Sequence, residues 1–283
     1  MNKKIKSVDS RVYTREYYLT DCTGYSEFKK SYGDNLEPRL KAIVDRIEVN
    51  VGMRVLDVGC GRGELVFYMA KHRAEASGID YSSEAITLAN KLKSKKDKEI
   101  QKKMKFYVMD AKKLKFPNSF FDVVILTDVI EHLYNEELDM SFSEIKRVLK
   151  KGGILLVHTA PNKLFFNIGY KFYTYPMSSL IVRAWNFISK SHYPNIQKPK
   201  ALRTSSHALM HINEPTFFSL KKLFRSHGFD GSVVSSNIVS IKPIFSIKDL
   251  LFNFIVFLHP LSKYFPLNII FGSDFVAVLN NKK

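Results

Sequence analysis

An aspartate and three closely spaced glycines stand together early in the chain. Asp57 lies in the apolar run 55–58, and Gly59, Gly61 and Gly63 follow it at alternate positions. Because glycine lacks a Cβ, a ligand can approach the main chain of such a loop closely. The helical spacing of the next apolar residues predicts that the loop delivers free amide N–H groups at a helix N-terminus. This stretch therefore predicts a ligand-binding turn.

The spacing of the glycines distinguishes between two classes of ligand. A dinucleotide-binding turn has two residues between its second and third glycines, whereas only Arg62 separates Gly61 from Gly63. Asp57 adds a carboxylate at the end of the strand, where it would repel a diphosphate and attract an ammonium group. The pattern favours a ligand with an amino-acid end over a nucleotide phosphate.

Two further polar positions follow predicted strands. Asp80 ends the predicted strand 76–79, about twenty residues past the loop, where a doubly wound fold places an acid that binds ribose hydroxyls. The segment 127–132 follows the predicted strand 123–126 and places His132 at the carboxyl edge of the sheet. Because the ordinary pKa of a histidine is near neutrality, a histidine there can remove a proton from a nucleophile.

The elements that must position these residues alternate along the chain. Apolar runs predict strands, and apolar stripes at helical spacing predict the helices that cover them. The predicted strands are 55–58, 76–79, 106–109, 123–126, 154–157 and 272–279, and the predicted helices are 40–47, 64–72, 136–149 and 216–227. This alternation predicts an α/β fold with a doubly wound, Rossmann-like sheet.

The sequence from Val55 to Glu64, Val-Leu-Asp-Val-Gly-Cys-Gly-Arg-Gly-Glu, resembles motif I of the class I S-adenosylmethionine-dependent methyltransferases. The similarity extends over residues 50–160 and is greatest to the small-molecule group that includes the ubiquinone and menaquinone enzymes. It implies S-adenosylmethionine as the methyl donor. It also implies a mostly parallel sheet of seven strands with an antiparallel last strand, and a helical lid insertion after the fifth strand.

The resemblance assigns individual residues to the parts of the donor. It places the glycine loop at the methionine end, Asp80 at the ribose and Asp110 at the adenine amino group, with Tyr81 beside the adenine ring. The tyrosine-rich segment 11–31 commonly forms part of a lid in similar enzymes. The predicted donor-binding residues are Asp57, Gly59, Cys60, Gly61, Gly63, Asp80, Tyr81, Asp110, Ala111, Asp128 and Tyr18.

Two histidines are candidates for the general base. The alternative for His132 is a buried scaffold histidine, and the alternative for His211, which precedes a predicted helix as in similar methyltransferases, is a capping or core residue. In ubiquinone-type enzymes Glu-x-x-Glu-His can hold a divalent metal ion, and this chain has Asp128, Glu131 and His132 at that spacing. A metal site is the less favoured interpretation. The pair His207 and His211 lacks an evident third ligand.

Composition divides the chain into four parts. An N-terminal helical lid segment (1–50) precedes the donor-binding core (51–162) and an aromatic and basic lid insertion (163–206), and residues 207–283 complete the sheet with an apolar insertion. The lid insertion suits an acceptor site, a satellite core or a membrane interface. The apolar run 250–258 is too short to span a bilayer.

Charge and cysteine content limit the classes of function and partner that the chain can have. The formal net charge of +17 indicates an anionic partner, but the eleven lysines from Lys91 to Lys115 lack interleaved aromatic residues. They favour a solvated face over a nucleic-acid surface. The two cysteines, Cys22 and Cys60, argue against a disulfide framework or a structural zinc site. The basic N-terminus lacks an apolar stretch, so we expect a cytoplasmic protein.

These observations predict methyl transfer to an oxygen of a small or lipid-linked acceptor, with peripheral membrane contact as a further option. Two alternatives stay open. An RNA-directed methyltransferase would explain the charge, and steep salt dependence of RNA binding would support it. A non-catalytic, membrane-associated protein that retains the donor-binding fold would bind the donor without turnover.

Overall fold

A seven-stranded mixed sheet forms the centre of the protein. The computed structural model describes residues 7–20, 22–189, 196–201, 210–238 and 247–282. The strands are β1 (Arg54–Val58), β2 (Glu75–Asp80), β3 (Met104–Val108), β4 (Phe121–Thr127), β5 (Leu149–Thr159), β6 (Phe229–Ser236) and β7 (Asp274–Asn281). Their order in the sheet is β3-β2-β1-β4-β5-β7-β6. Strands β1 to β5 are parallel, and β7 is antiparallel to both of its neighbours.

Helices cover both faces of this sheet. They are α1 (Arg15–Thr20), α2 (Tyr25–Ser31), α3 (Pro38–Val44), α4 (Glu64–Lys71), α5 (Ser83–Ser94), α6 (Lys98–Lys102), α7 (Asn135–Val148), α8 (Tyr175–Ser189), α9 (Phe217–Ser226), α10 (Ile247–Phe257) and α11 (Leu267–Phe271). A π-helix spans Phe165–Thr174, and short 3-10 helices span Ser10–Val12, Ile130–His132 and Leu261–Lys263.

Successive residues of β1 enter separate hydrophobic cores. Val55 packs on one face with residues of α3, α4 and α5, and Leu56 packs on the other face with residues of α7 and α9. Both faces of the strand are buried, which explains why its apolar residues are nearly continuous. The strand order reverses between β1 and β4. The carboxyl ends of these two strands therefore border the crevice in which an open α/β sheet binds ligands.

The predicted fold class is confirmed, because the sheet is doubly wound and mostly parallel with an antiparallel β7. The predicted strands are all present, with shifted bounds. Strand β5 begins at Leu149, where the sequence predicts the end of a helix. The sequence pattern did not delimit β6, because this edge strand is largely exposed and carries few apolar residues. The apolar run 250–258 forms most of α10.

Two helical excursions leave the carboxyl side of the sheet. The first (163–215) follows β5 and contains the π-helix and α8, and the second (238–272) follows β6 and contains α10 and α11. They pack on each other, since the hydroxyl of Tyr173 donates to the carbonyl of Ile255 at 2.8 Å. The ring of Tyr173 also meets Phe271 edge-on. Among the helices that the structure describes, none has the length and hydropathy needed to cross a bilayer.

Hydrogen bonds close both excursions at their bases. The amide of Lys163 donates to the carbonyl of Pro215 at 3.0 Å, and the amide of Ser273 donates to the side-chain oxygen of Asn237 at 3.0 Å. The buried side chain of Asn162 donates to two carbonyls at the end of the second excursion, each at 2.8 Å. Both excursions are thus fixed to one place beside β5 and β7.

Candidate active site

A cavity of about 350 Å³ lies at the carboxyl ends of β1, β2, β4 and β5. Its wall also includes the loop after β1 and side chains of the N-terminal helices. The predicted site residues that line it are Tyr18, Asp57, Gly59, Cys60, Gly61, Asp80, Tyr81, Asp110, Ala111, Asp128, His132 and His211. The structure therefore brings all of the predicted donor-binding residues except Gly63, together with both predicted histidines, to the same cavity.

The loop after β1 is shaped by its own amide groups. The amides of Gly59 and Cys60 both donate to the carbonyl of Ile79, at 2.8 and 2.9 Å. The amide of Gly61 donates to Oδ2 of Asp80 at 3.1 Å. The prediction that the loop delivers free N–H groups is therefore wrong at these positions, because the turn uses them to hold itself against the end of β2.

Gly63 has a packing role outside the cavity wall. Its φ is +84°, and a Cβ at this position would lie 2.8 Å from the ring of Phe106 and 3.0 Å from the Cβ of Ala89. Its amide donates to the carbonyl of Cys60 at 2.8 Å. Its position lets α4 begin in close contact with β3 and α5, and its contact with the donor stays a prediction.

Asp57 is the most unusual group of the cavity wall. Its side chain is buried, and Oδ1 has no hydrogen-bond partner among the residues that the structure describes. Burial raises the pKa of Asp57 to about 8, and the carboxylates of Asp80 and Glu64 add to that shift. A buried polar atom without a partner is costly, and a cation placed beside it would relieve the cost. The α-ammonium group of S-adenosylmethionine fits this requirement.

Asp80 lies at the end of β2, on the same side of the cavity. Burial raises its pKa to about 6, against the effect of the backbone amides that donate to it. One of these is the amide of Ser82, at 2.9 Å from Oδ1. Tyr81, beside it, is partly exposed, and its ring packs edge-on against Tyr13 with the centroids 5.4 Å apart. The arrangement leaves an acid and an aromatic ring together, as a nucleoside requires.

Asp110 and Ala111 form the cavity wall beyond β3. The Oδ1 atom of Asp110 accepts a hydrogen bond from the amide of Lys112 at 2.9 Å, and its Oδ2 lies 3.2 Å from the ammonium group of the same lysine. That ammonium group also donates to Glu137 at 2.5 Å. The side chain of Asp110 therefore closes a local turn, and it lines the cavity at the same time.

Arg62 fastens the N-terminal helices over the loop after β1, a role that the sequence analysis missed. Its buried guanidinium donates to the backbone carbonyls of Tyr18 at 2.6 Å and of Thr23 at 2.7 Å. It also pairs with Glu64 at 3.1 Å. The ring of Tyr18 consequently lies close to Gly61, where an added Cβ would be 3.7 Å from it. A basic residue inside a glycine loop was the signal available in the sequence.

Asp128 belongs to an ion cluster whose members are far apart in the sequence. Its Oδ2 accepts a hydrogen bond from Arg39 at 2.6 Å, and its Oδ1 lies 2.6 Å from Nδ1 of His158. Nε2 of His158 lies 3.4 Å from a carboxylate oxygen of Asp274. Burial would lower the pKa of His158, but Asp128 outweighs it and raises the pKa to about 9. Both oxygens of Asp128 are therefore held by cations.

His132 and His211 meet at the cavity. Their ring centroids are 5.0 Å apart, with the rings nearly perpendicular. The hydroxyl of Tyr13 is hydrogen-bonded to Nδ1 of His132 at 3.0 Å. Burial raises the pKa of Tyr13 to about 12, so the hydroxyl stays protonated at neutral pH. The pairing of the two histidines gives one region of the cavity a concentration of proton-accepting nitrogens.

The residues that could hold a metal ion differ from the predicted set. Ligand atoms of Glu131, His132 and His211 lie within 4.8 Å of one another. Asp128 does not belong to this group, because Arg39 and His158 occupy its oxygens. Burial raises the pKa of Glu131 to about 8, and the charge of Asp128 adds to the shift. His207 lies outside the described residues.

The fold and the cavity agree with a comparison against known protein families. Residues 56–157 match a family model described as "Methyltransferase domain". This range begins within β1 and contains the loop after it, together with Asp57, Asp80, Asp110 and His132. Residues 56–157 therefore form a methyltransferase domain, in agreement with the resemblance of the first motif to the class I S-adenosylmethionine-dependent methyltransferases.

Individual relatives match part of the chain. The cyclopropane-fatty-acyl-phospholipid synthase of Escherichia coli is 33% identical over 135 residues, which cover 46% of this chain and 33% of the synthase. The mitochondrial ubiquinone biosynthesis O-methyltransferase of Rattus norvegicus is 30% identical over 168 residues, which cover 57% of this chain and 48% of that enzyme. The chain thus spans between a third and a half of the length of these relatives.

A solved structure matches nearly the whole chain in fold. It comes from the complex between the Haloferax volcanii Trm112 methyltransferase activator and a methyltransferase. The TM-score is 0.57 at 14% identity, and the alignment covers 95% of this chain and 97% of the other. At this identity the likeness shows the fold alone.

Proposed function

We propose that this protein transfers a methyl group from S-adenosylmethionine to an oxygen of a small or lipid-linked acceptor. The observation that carries the proposal is that one cavity holds both the buried side chain of Asp57, whose Oδ1 has no hydrogen-bond partner among the described residues, and the paired rings of His132 and His211. The first suits the cationic end of a methyl donor. The second suits the removal of a proton from an acceptor hydroxyl.

The donor would be held by residues that line the cavity. Asp57 would pair with the ammonium group, Asp80 would accept from the ribose hydroxyls, and Tyr81 with Asp110 would border the adenine. When bound, S-adenosylmethionine supplies an electrophilic methyl group on a positively charged sulfur. The N-terminal segment that Arg62 fastens over the loop supplies Tyr18 and Thr23 to the wall of this part of the cavity.

His132 is the favoured base for the acceptor. When the hydroxyl of Tyr13 accepts a hydrogen bond from Nδ1–H, the basic nitrogen of His132 is Nε2. As the new oxygen–carbon bond forms, the carbon–sulfur bond breaks and its electron pair returns to sulfur. The hydroxyl proton passes to Nε2, so charge and atoms balance. His211, in ring contact with His132, would orient the base or replace it.

Two observations support an acceptor of this class. The printed names of the relatives include a synthase of fatty-acyl phospholipids and an O-methyltransferase of ubiquinone biosynthesis. The first helical excursion begins just after Ala160, which lines the cavity, and it returns at His211, which also lines it. Residues at both ends of this aromatic, helical segment therefore belong to the cavity wall.

The lysine-rich stretch gives little support to a nucleic-acid acceptor. Lys96 pairs with Asp34 at 2.9 Å, Lys102 pairs with Glu99 at 2.7 Å, and Lys93 donates to a backbone carbonyl at 2.6 Å. Lysines paired in this way leave less unbalanced positive charge for a phosphate backbone.

Titration calorimetry with S-adenosylmethionine tests the donor half of the proposal, and methyl incorporation into a panel of hydroxylated quinones, phenols and lipids tests the acceptor half. We expect donor binding by the wild-type protein and by a His132→Ala variant, and turnover by the wild type alone. A folded protein that does not bind the donor would refute the proposal. Donor binding without turnover on any acceptor would favour the non-catalytic alternative.

A further inference from the structure

Exposed aromatic and aliphatic side chains are concentrated on the two helical excursions. We define the apolar face as Phe172, Leu180, Phe187, Leu251, Phe254 and Phe265, all of which are exposed. Phe187 is 88% exposed and Phe265 is 74% exposed, so these rings are almost fully in contact with solvent. Bulky apolar side chains left exposed on two segments that pack together indicate an interaction surface.

The side chains of the first excursion share one helical stripe. Phe172, Leu180 and Phe187 are separated by eight and seven residues, close to two turns each, in the continuous helix made by the π-helix and α8. The opposite side of that helix is anchored, since Thr174 and Ser178 are buried and Thr174 donates to the carbonyl of Val256 at 3.3 Å. The helix therefore packs on α10 with one side and presents the other to solvent.

Charge distinguishes the occupants that this face could take. No Asp or Glu occurs between Glu144 and Glu214, a stretch that contains eleven Lys and Arg residues. Residues 250–273 also lack an acid. Exposed cations stand among the rings, at Lys171, Arg183 and Lys263. Bulky apolar side chains among cations, without acids, are the composition of a surface that inserts into an anionic bilayer.

We propose that the apolar face docks on an anionic lipid bilayer and that the cavity takes its acceptor from that bilayer. The inference deepens the proposed function, because it supplies the acceptor from the membrane. The first excursion carries half of the face, and Ala160 just before it and His211 near its end both line the cavity. In this proposal the lipid-linked acceptor reaches the base from the bilayer.

The chain contains its own reporter for this docking. Its single tryptophan, Trp185, lies in α8 between Leu180 and Phe187 and is 42% exposed. When the protein is mixed with vesicles of phosphatidylcholine and phosphatidylglycerol, we expect the emission of Trp185 to shift to shorter wavelength and to become protected from a water-soluble quencher. Vesicles of phosphatidylcholine alone should give a smaller shift, since the cations then lack a partner.

Flotation with the same two kinds of vesicle measures the partition coefficient. Phe187→Ser should lower it by about tenfold, because a ring that enters the bilayer is lost. Phe218→Ser is the matched control, since Phe218 is 62% exposed on α9 and outside the face. Lys263→Gln should lower binding to the anionic vesicles by about fivefold. Its control is Lys151→Gln, an exposed lysine at the start of β5.

Three outcomes would overturn the proposal. They are absence of flotation with the anionic vesicles, equal losses for Phe187→Ser and Phe218→Ser, and a dimer in vesicle-free solution that Phe187→Ser converts to monomers. The last result would assign the face to a second copy of the chain. Flotation and Trp185 emission do not depend on methyl transfer, and donor titration of the same variants reports the proposed function separately.

Discussion

Substitution of Asp57 by asparagine keeps the shape of the side chain and removes its charge. In the free protein this change removes a buried carboxylate whose Oδ1 atom has no hydrogen-bond partner among the described residues. In the complex it removes the proposed partner of the donor's ammonium group. A hydrogen bond between charged groups contributes about 1.5 to 3 kcal/mol. We therefore expect Asp57→Asn to weaken binding of S-adenosylmethionine roughly 10- to 150-fold.

The same substitution should have the opposite effect on the free protein. Because the folded-state pKa of Asp57 is raised to about 8, its stabilising contribution is complete below the ordinary carboxyl pKa and is lost as pH rises toward 8. The free-energy advantage of Asp57→Asn over the wild type should therefore grow with pH in this range. Urea unfolding of both proteins at several pH values measures it.

Donor affinity should also depend on pH through this residue. The ammonium group binds the ionised carboxylate, so wild-type affinity should rise with pH as the pH approaches 8, by at most about tenfold per pH unit. The Asp57→Asn variant should lack this rise. Calorimetric titration at pH values below 8 gives both curves, and the variant corrects for other groups of the cavity, such as Glu131.

Ligand analogues separate the part of the donor that Asp57 recognises. S-adenosylhomocysteine keeps the ammonium group, whereas methylthioadenosine lacks the amino-acid end. Asp57→Asn should weaken the first ligand about as much as the donor itself and should leave the second within about twofold. Equal losses for S-adenosylhomocysteine and methylthioadenosine, or donor binding within twofold of wild type, would refute our reasoning on Asp57.

Five further substitutions test other parts of the site and fold. His132→Ala should lower the single-turnover rate roughly 100- to 10,000-fold and leave donor affinity unchanged, and His211→Ala should lower that rate by a smaller factor. Equally small losses of rate in both variants would indicate that both histidines have scaffold roles. Gly63→Ala should cost about 3 kcal/mol of unfolding free energy in urea, because strain and a clash combine. Gly152 also has a positive φ, but an added Cβ there would meet open space, so Gly152→Ala should lower the free energy of unfolding by about 1 kcal/mol. Similar losses for the two variants would show that the clash at Gly63 contributes nothing. Arg39→Gln should lower the free energy of unfolding by about 2 kcal/mol. This loss is smaller than for a fully buried ion pair, because the partner carboxylate of Asp128 is partly open to the cavity. An unchanged urea midpoint would show that the pair contributes nothing to stability.

Local pattern was sufficient to predict which residues on the proposed donor side would line one cavity. The strand, the glycine spacing and Asp57 lie within ten residues, and Asp80 follows at the distance that one crossover helix requires. Such features depend on neighbours in the sequence, so periodicity and spacing can reveal them. The same reasoning erred over the loop amides, because hydrogen bonds from the loop to the end of β2 cannot be read from the loop alone.

Other features depend on residues that only the fold brings together. Arg39, Asp128, His158 and Asp274 come from a helix, a loop and two strands, and no spacing in the sequence connects them. Strand β6 forms by pairing with β7 at the edge of the sheet, where side chains remain exposed and carry no hydrophobic pattern. The predicted division at residues 163 and 206 stays a prediction.

The hydrogen bonds at Asn162, Lys163 and Asn237 allow the sequence and length of the two excursions to vary. Since each excursion leaves and returns at one fixed place, its interior can be exchanged without cutting a strand of the sheet. Loop-closure entropy grows only slowly with length, so the sheet tolerates a short or a long replacement there. The donor-binding half can therefore stay constant while grafted segments give the same scaffold new acceptors.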